Sequence, residues 1–170
     1  RSDIIAPDLP GFISPLPDGF APVKESYVDW LITQIEAVGE PVDLVGHDWG
    51  GILVQHVAST RPDLVRTLAC GSGPLDVGYE WHAMAQVWQT PGAGEEMVAG
   101  AVALPEGERV GMLVAGGSPP ELAALQARHM DERMGRCILA LYRSALNLGS
   151  EWQPAVEAME PRPSLVMWGT

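Results

Sequence analysis

The most reactive arrangement in the sequence is the segment 46–51, which reads GHDWGG and has Asp48 near its centre. It follows the apolar run PVDLV and precedes a helical pattern. A strand, a sharp turn and a helix, with small residues two before and two after a reactive side chain, are typical of a nucleophile elbow. The central residue needs a strained backbone, so Gly46 and Gly50 are expected to let strand and helix approach. A carboxylate beside a helix N-terminus can attack carbon and form an ester.

The elements that position this turn alternate between strand and helix patterns. Because apolar strands linked by helices favour a parallel sheet covered on both faces, the predicted fold class is α/β. Four strands are expected to lie parallel in one sheet, and two helices accompany them. The strands are predicted at 2–6, 42–45, 65–70 and 164–168, and the helices at 23–38 and 52–60.

The region 75–155 has no strand pattern and is rich in Ala, Met, Gly and Trp. A long helical pattern runs from residue 118 to about 148, weakened at Gly135 and ended by Gly149. Such an insertion after a sheet strand predicts a helical cap. The predicted division is therefore a core at 1–74 and 156–170, with the cap at 75–155.

Composition restricts the classes of partner. The net charge of −12 argues against nucleic acid and anionic membrane surfaces. No apolar run approaches transmembrane length and no signal peptide is visible, so a cytoplasmic protein is expected. Cys70 and Cys137 lie far apart without a C-x-x-C pattern, which favours buried, reduced thiols over a disulfide or a metal site. No cofactor or metal is expected, and the partner is a small apolar substrate.

Several segments together resemble the α/β-hydrolase superfamily: IAPDLPGF at 5–12, GHDWGG at 46–51, RPDLV at 61–65, the helical cap and VMWGT at 166–170. An aspartate nucleophile followed by tryptophan resembles the epoxide hydrolase and haloalkane dehalogenase branch. The resemblance implies a partial α/β-hydrolase sheet with a cap insertion.

The resemblance also assigns roles to individual residues. Asp48 falls on the nucleophile, and the Trp49 backbone N–H falls on one oxyanion donor, with its indole lining the pocket. The segment WQTPG, which begins at Trp88, resembles the Phe-Gln-x-Pro-Gly of epoxide hydrolase caps. Tyr142, in LYR at 141–143, matches a cap tyrosine that polarises the epoxide oxygen and is the candidate acid. Trp88, Trp81 and Tyr79 are candidate substrate-binding residues.

The departures from the family pattern bear on mechanism. The second cap tyrosine of epoxide hydrolases is replaced by MAQV at 84–87, and Tyr79 is the nearby alternative. Some dehalogenases carry the triad acid at the position of Gly71 and Ser72, where this chain has none. The other acid position and the catalytic histidine are expected beyond Thr170, and the His-Gly oxyanion loop before Arg1. The chain is therefore expected to be the middle of a longer hydrolase, unable to complete a turnover alone.

The four histidines are expected to stay away from Asp48. Strand alternation points His47 to the opposite side. His56 lies on the elbow helix as a packing or surface residue, and His82 and His129 are expected at solvated cap positions. Tyr142 fits a packed cap residue as well as an acid, and Trp81 and Trp88 fit packing better than halide binding.

The predicted function is a hydrolase that acts through an aspartyl ester on an epoxide or a similar small apolar electrophile. The alternatives are a haloalkane dehalogenase and a catalytically incomplete homologue that only binds. An Asp-Trp elbow also occurs in light-emitting monooxygenases of the superfamily. Tryptophan rather than arginine after Asp48 argues against small carboxylated substrates, because no cation would meet the carboxylate.

Overall fold

A computed structural model gives the structure of the protein and describes residues 3–169. From Lys24 on, strands and helices follow one another in the predicted order, and the long helical region lies between the second and third strands of the structure. In chain order the elements are α1 Lys24–Glu36, β1 Val42–His47, α2 Trp49–Thr60, a 3₁₀ turn Pro62–Leu64, β2 Val65–Gly71, α3 Ala83–Gln89, α4 Ala93–Ala103, α5 Glu106–Ala115, α6 Pro120–His129, α7 Glu132–Ser144, α8 Leu148–Glu157 and β3 Ser164–Met167.

The three strands of the described residues form one parallel sheet in the order β1-β2-β3. His47 of β1 is in register with Gly71 of β2, and Gly71 is in register with Met167 of β3. The carboxyl ends of all three strands therefore meet at one edge, where open α/β sheets place their ligands. The predicted parallel arrangement is confirmed for these strands.

The strand predicted at 2–6 is wrong for residues 3–6, which have no regular structure; Ser2 lies outside the described residues. Ile4 and Ile5 are 92% and 70% exposed. An extended segment becomes a strand only when its N–H and C=O groups bond to a neighbouring strand. The apolar residues at 4–5 carry no information about whether such a neighbour is present.

Helix α2 supports the turn that precedes it. Its apolar side chains are buried because the helix packs on both β1 and β2 and on α1. Val57 and Ala58 are fully buried, and Ile52 and Leu53 are 2% and 1% exposed. Burial of each of the larger aliphatic side chains, Ile52, Leu53 and Val57, contributes about 1.5–3 kcal/mol, which fixes the helix and the turn against the sheet.

The predicted helix at 118–148 is interrupted at a different place. It breaks between α6 and α7, where the Asp131 carboxylate accepts a hydrogen bond from the Met134 N–H at 2.8 Å and caps α7. Gly135 lies inside α7 and is needed for packing, since a Cβ there would lie 2.1 Å from Val98 Cγ1. Gly149 does not end a helix but lies in the first turn of α8, where a Cβ would lie 2.6 Å from the Asp76 carbonyl oxygen.

The chain divides into two compact units. The helical unit comprises the described residues before Lys24 together with His82–Arg143, and the sheet unit comprises Lys24–Trp81 with the described residues from Ser144 on. Helix α8 thus belongs to the sheet unit. Cys70 and Cys137 are both free and buried, as expected. In the described part of the chain no helix has the length and apolarity needed to cross a membrane.

Candidate active site

Asp48 occupies the turn between β1 and α2 with φ 54° and ψ −126°. Positive φ is uncommon for a residue with a Cβ, so the conformation is held by its surroundings. The Asp48 N–H donates to the Gly71 carbonyl at 3.0 Å, and its carbonyl accepts from the Ile52 N–H at 3.1 Å. The side chain is exposed. The positive φ expected for a nucleophile elbow is confirmed.

The carboxylate of Asp48 is held by the first turn of α2. Its Oδ1 accepts a hydrogen bond from the Trp49 N–H at 2.6 Å, so the side chain caps the helix. A hydrogen bond from a backbone N–H to a carboxylate is charge-assisted, and the helix N-terminus favours the negative charge. The same N–H is the group on which the resemblance to the family places an oxyanion donor.

Three glycines make this turn possible, and they differ from the predicted pair. A Cβ on Gly46 would lie 2.2 Å from the Gly50 carbonyl oxygen, so strand and helix touch there. A Cβ on Gly51 would lie 2.9 Å from the Gly71 oxygen, and one on Gly73 2.7 Å from the Gly51 carbonyl carbon. A Cβ on Gly50 would meet nothing within 4 Å. The steric need for glycine is therefore confirmed at Gly46 and is wrong at Gly50.

Aromatic rings lie beside Asp48 in the sheet unit. The Trp49 ring stacks on Trp81 with centroids 5.8 Å apart and an interplanar angle of 22°, and Tyr79 meets Trp81 edge-on at 5.5 Å. The Trp81 indole N–H donates to the Ala145 carbonyl at 3.2 Å. Since that hydrogen bond engages the indole donor, Trp81 acts as an apolar wall in this conformation, as the packing interpretation expects.

The pKa of the Tyr79 hydroxyl is raised by burial and by the charge of Asp48. Burial raises the pKa of the Tyr79 hydroxyl above its ordinary value, and the negative charge of Asp48 raises that pKa further. The phenol therefore stays protonated at neutral pH and is a neutral hydrogen-bond donor. Of the sequence-predicted residues, Asp48, Trp49, Tyr79 and Trp81 lie in the sheet unit.

Ser72 is a second residue with a strained backbone, and the sequence did not predict it. It directly follows β2 with φ 49°, and its N–H donates to the Met167 carbonyl at 3.2 Å. It lines a cavity of about 420 Å³ at the carboxyl edge of the sheet, together with Tyr79 and Trp168. Serine carries no sequence signal for positive φ, so only the backbone angles of the structure reveal the strain.

The other two candidates, Trp88 and Tyr142, lie in the helical unit and contact each other. Their ring centroids are 4.8 Å apart at an interplanar angle of 55°. The Gln89 side-chain amide donates to the Tyr142 carbonyl at 3.2 Å. Tyr142 is 8% exposed, so most of its ring is packed. The similarity of 88–92 and 141–143 to cap segments thus corresponds to one packed aromatic pair.

His56 and His82 make structural contacts within their own units, whereas His47 is exposed. The His56 ring stacks on Trp152 with centroids 3.9 Å apart. His82 is the N-cap of α3, where its Nδ1 accepts from the Ala85 N–H at 3.2 Å. Among residues 3–169 no three His, Cys, Asp or Glu side chains form a group that could hold a metal ion.

Comparison with known proteins agrees with this geometry. The profile described as the alpha/beta hydrolase family matches residues 1–170. A haloalkane dehalogenase of Bradyrhizobium diazoefficiens is 30% identical over 174 residues, covering 92% of this chain and 56% of the relative. The crystal structure of DbjA has a TM-score of 0.72 at 27% identity, covering 95% of this chain and 63% of that one. Haloalkane dehalogenase DbeA from Bradyrhizobium elkani has a TM-score of 0.68 at 26% identity, covering 95% and 62%. The chain thus spans about six tenths of the length of these relatives.

Proposed function

Because the chain belongs to the alpha/beta hydrolase family, we propose that the protein attacks a carbon electrophile with Asp48 and hydrolyses the resulting ester. The observation that carries this proposal is the Asp48 carboxylate, exposed on a strained strand-to-helix turn. The electrophile proposed first is a haloalkane, since relatives bearing the dehalogenase name match more than nine tenths of the chain.

The first step forms a carbon–oxygen bond. The other carboxylate oxygen of Asp48, Oδ2, displaces halide, which leaves with the electron pair of the carbon–halogen bond, and an alkyl ester of Asp48 remains with Oδ1 as its carbonyl oxygen. The Trp49 and Trp81 rings supply an apolar wall in the sheet unit. A bound apolar substrate displaces water from the exposed carboxylate, and the less solvated carboxylate attacks more readily.

The second step cleaves the ester. Water attacks the ester carbonyl carbon, a base takes the water proton, and the carboxylate is released together with an alcohol. The Trp49 N–H already binds Oδ1 at 2.6 Å. It therefore remains placed to stabilise negative charge on that oxygen in the tetrahedral intermediate. The base is proposed to be the catalytic histidine of the family.

Epoxide opening is the second candidate, and the tyrosines favour it. An alkoxide needs a hydrogen-bond donor as it leaves, whereas a halide leaves as a stable anion. Tyr142 is the proposed donor. Tyr79 is a second one, because its protonated phenol lies within the electrostatic influence of Asp48.

Turnover of haloalkanes and of epoxides by the natural full-length protein distinguishes the two candidates. If epoxides are the substrate, Tyr142→Phe should lower epoxide turnover by roughly 10²–10³, the usual effect of losing one oxyanion donor. If haloalkanes are the substrate, Tyr142→Phe should leave halide release within about tenfold, because no alkoxide needs a proton. Asp48→Asn is the blank for both assays, and activity retained in that variant would contradict the proposal.

A further inference from the structure

A charged clamp joins the end of α7 to the turn between α3 and α4 in the helical unit. The Arg143 guanidinium binds both carboxylate oxygens of Glu95, at 2.6 and 2.8 Å. It also donates to the Trp88 carbonyl at 3.1 Å and to the Thr90 carbonyl at 3.4 Å. The planar fork of arginine makes such a set of parallel bonds, which lysine cannot reproduce.

Glu95 is itself tied to the turn. Its second carboxylate oxygen accepts from the Gly92 N–H at 2.8 Å. The hydrogen bonds from Arg143 lower the pKa of Glu95 to about 2, so the pair stays ionised at any pH near neutrality. A second ion pair of α7, Arg136 with Glu132, is longer, at 4.0 Å, and both partners are far more exposed.

The hydrogen bonds of Arg143 lie next to the aromatic pair. Arg143 follows Tyr142 in the chain and donates to the carbonyl of Trp88, whose ring centroid lies 4.8 Å from that of Tyr142. Gln89 donates to the Tyr142 carbonyl from the other side. Polar bonds therefore hold the backbone at both residues of the ring contact, which limits how far the two rings can move apart.

We propose that Arg143 is a positioning residue that fixes the Tyr142 hydroxyl by holding the Trp88–Tyr142 pair. It thereby determines how well that hydroxyl donates a hydrogen bond to the substrate oxygen. The inference rests on epoxide opening, the second candidate of the proposed function, in which Tyr142 is the donor to a leaving alkoxide. Arg143 itself touches no reacting atom.

The first test needs no activity. In a ¹H–¹⁵N spectrum of the full-length protein the Trp88 indole peak is identified by its loss in Trp88→Phe, and Tyr142→Leu shows where it moves without the ring current. Arg143→Met should shift that peak toward the Tyr142→Leu position, whereas the matched control Arg136→Met should leave it unchanged. A Trp88 peak unmoved by Arg143→Met would overturn the proposal, whatever the protein's substrate is.

The second test uses turnover of an epoxide. Arg143→Met should lower kcat by about tenfold to 10²-fold with a smaller change in KM, since misplacement by about 1 Å can cost that much. Arg143→Lys should recover part of the loss. In a Tyr142→Phe background the same change should cost less than about twofold, because coupled residues are not additive. Losses that multiply independently would contradict a role through Tyr142, and failure of both classes of substrate would count against the proposed function alone.

Discussion

At the scale of single residues, the elbow depends on where a methyl group cannot fit. Gly46 lies against the backbone oxygen of Gly50, and Asp48 takes positive φ between them. The strain at Asp48 is maintained because α2 is packed on the sheet and cannot move away. The close approach of strand and helix is thus the physical reason for the exposed carboxylate.

Gly46→Ala should therefore destabilise the protein by about 2–4 kcal/mol, since the new methyl meets backbone rather than a flexible side chain. Gly50→Ala is the matched control two residues beyond Asp48. It should be neutral or stabilising by up to about 1 kcal/mol, because alanine is favoured over glycine in a helix and the space is open. Urea unfolding of both variants measures the difference, and equal losses in the two would refute the steric account.

At the scale of elements, α1, α2 and α8 meet around a polar cluster in the sheet unit. The Lys24 side chain is buried and paired with Glu151 at 2.7 Å and with Glu25. The half-buried His56 ring of α2 stacks on Trp152 of α8. Burial lowers the pKa of His56, the charge of Lys24 lowers it further, and Glu25 opposes the effect. His56 therefore favours the neutral form in the folded protein.

This arrangement predicts a pH dependence with a definite sign. The folded pKa of His56 lies below its ordinary value of 6.5, so its contribution to stability is complete above that pH. As pH falls below about 6.5, the unfolded chain binds a proton that the folded chain does not, and stability is lost. His56→Gln should reduce the loss of stability between about pH 7 and pH 5. Thermal unfolding across this range measures it.

The control for this prediction is His47→Gln, which alters an exposed histidine of the same unit. This variant should lose as much stability between about pH 7 and pH 5 as the parent protein does. If His56→Gln also lost as much stability as the parent protein between about pH 7 and pH 5, the carboxylates alone would account for the acid sensitivity. The role of His56 would then be rejected.

At the scale of the whole molecule, the candidate residues divide between two compact units. Asp48 and its aromatic neighbours belong to the sheet unit, whereas Trp88 and Tyr142 belong to the helical unit. The sheet unit holds the proposed nucleophile with its N–H donor, and the helical unit holds the proposed cap donor. The wall formed by Trp81 and the pair formed by Trp88 and Tyr142 are each stabilised within one unit.

Local sequence was enough to predict the features that depend on neighbouring residues. The elbow at Asp48, the apolar strand before it and the helix after it are consequences of spacing, and so is the parallel order of β1 and β2. Features that depend on distant partners were not accessible. The strand predicted at 2–6 needed a neighbouring strand. Glycine is needed at position 149 because the Asp76 carbonyl, remote in sequence, leaves no room for a Cβ. The positive φ of Ser72 likewise has no sign in the local sequence.

The central claim, covalent attack by Asp48, is tested most directly by oxygen isotopes in a single turnover. Full-length protein in excess over a haloalkane or epoxide is mixed in H₂¹⁸O, and both the product and the peptide carrying Asp48 are weighed by mass spectrometry. The account predicts ¹⁶O in the newly formed hydroxyl of the product, because that oxygen comes from Asp48, and ¹⁸O in the Asp48 carboxylate, because water attacks the ester carbonyl. A product that carries ¹⁸O, with Asp48 unlabelled, would show direct attack by water and contradict the account.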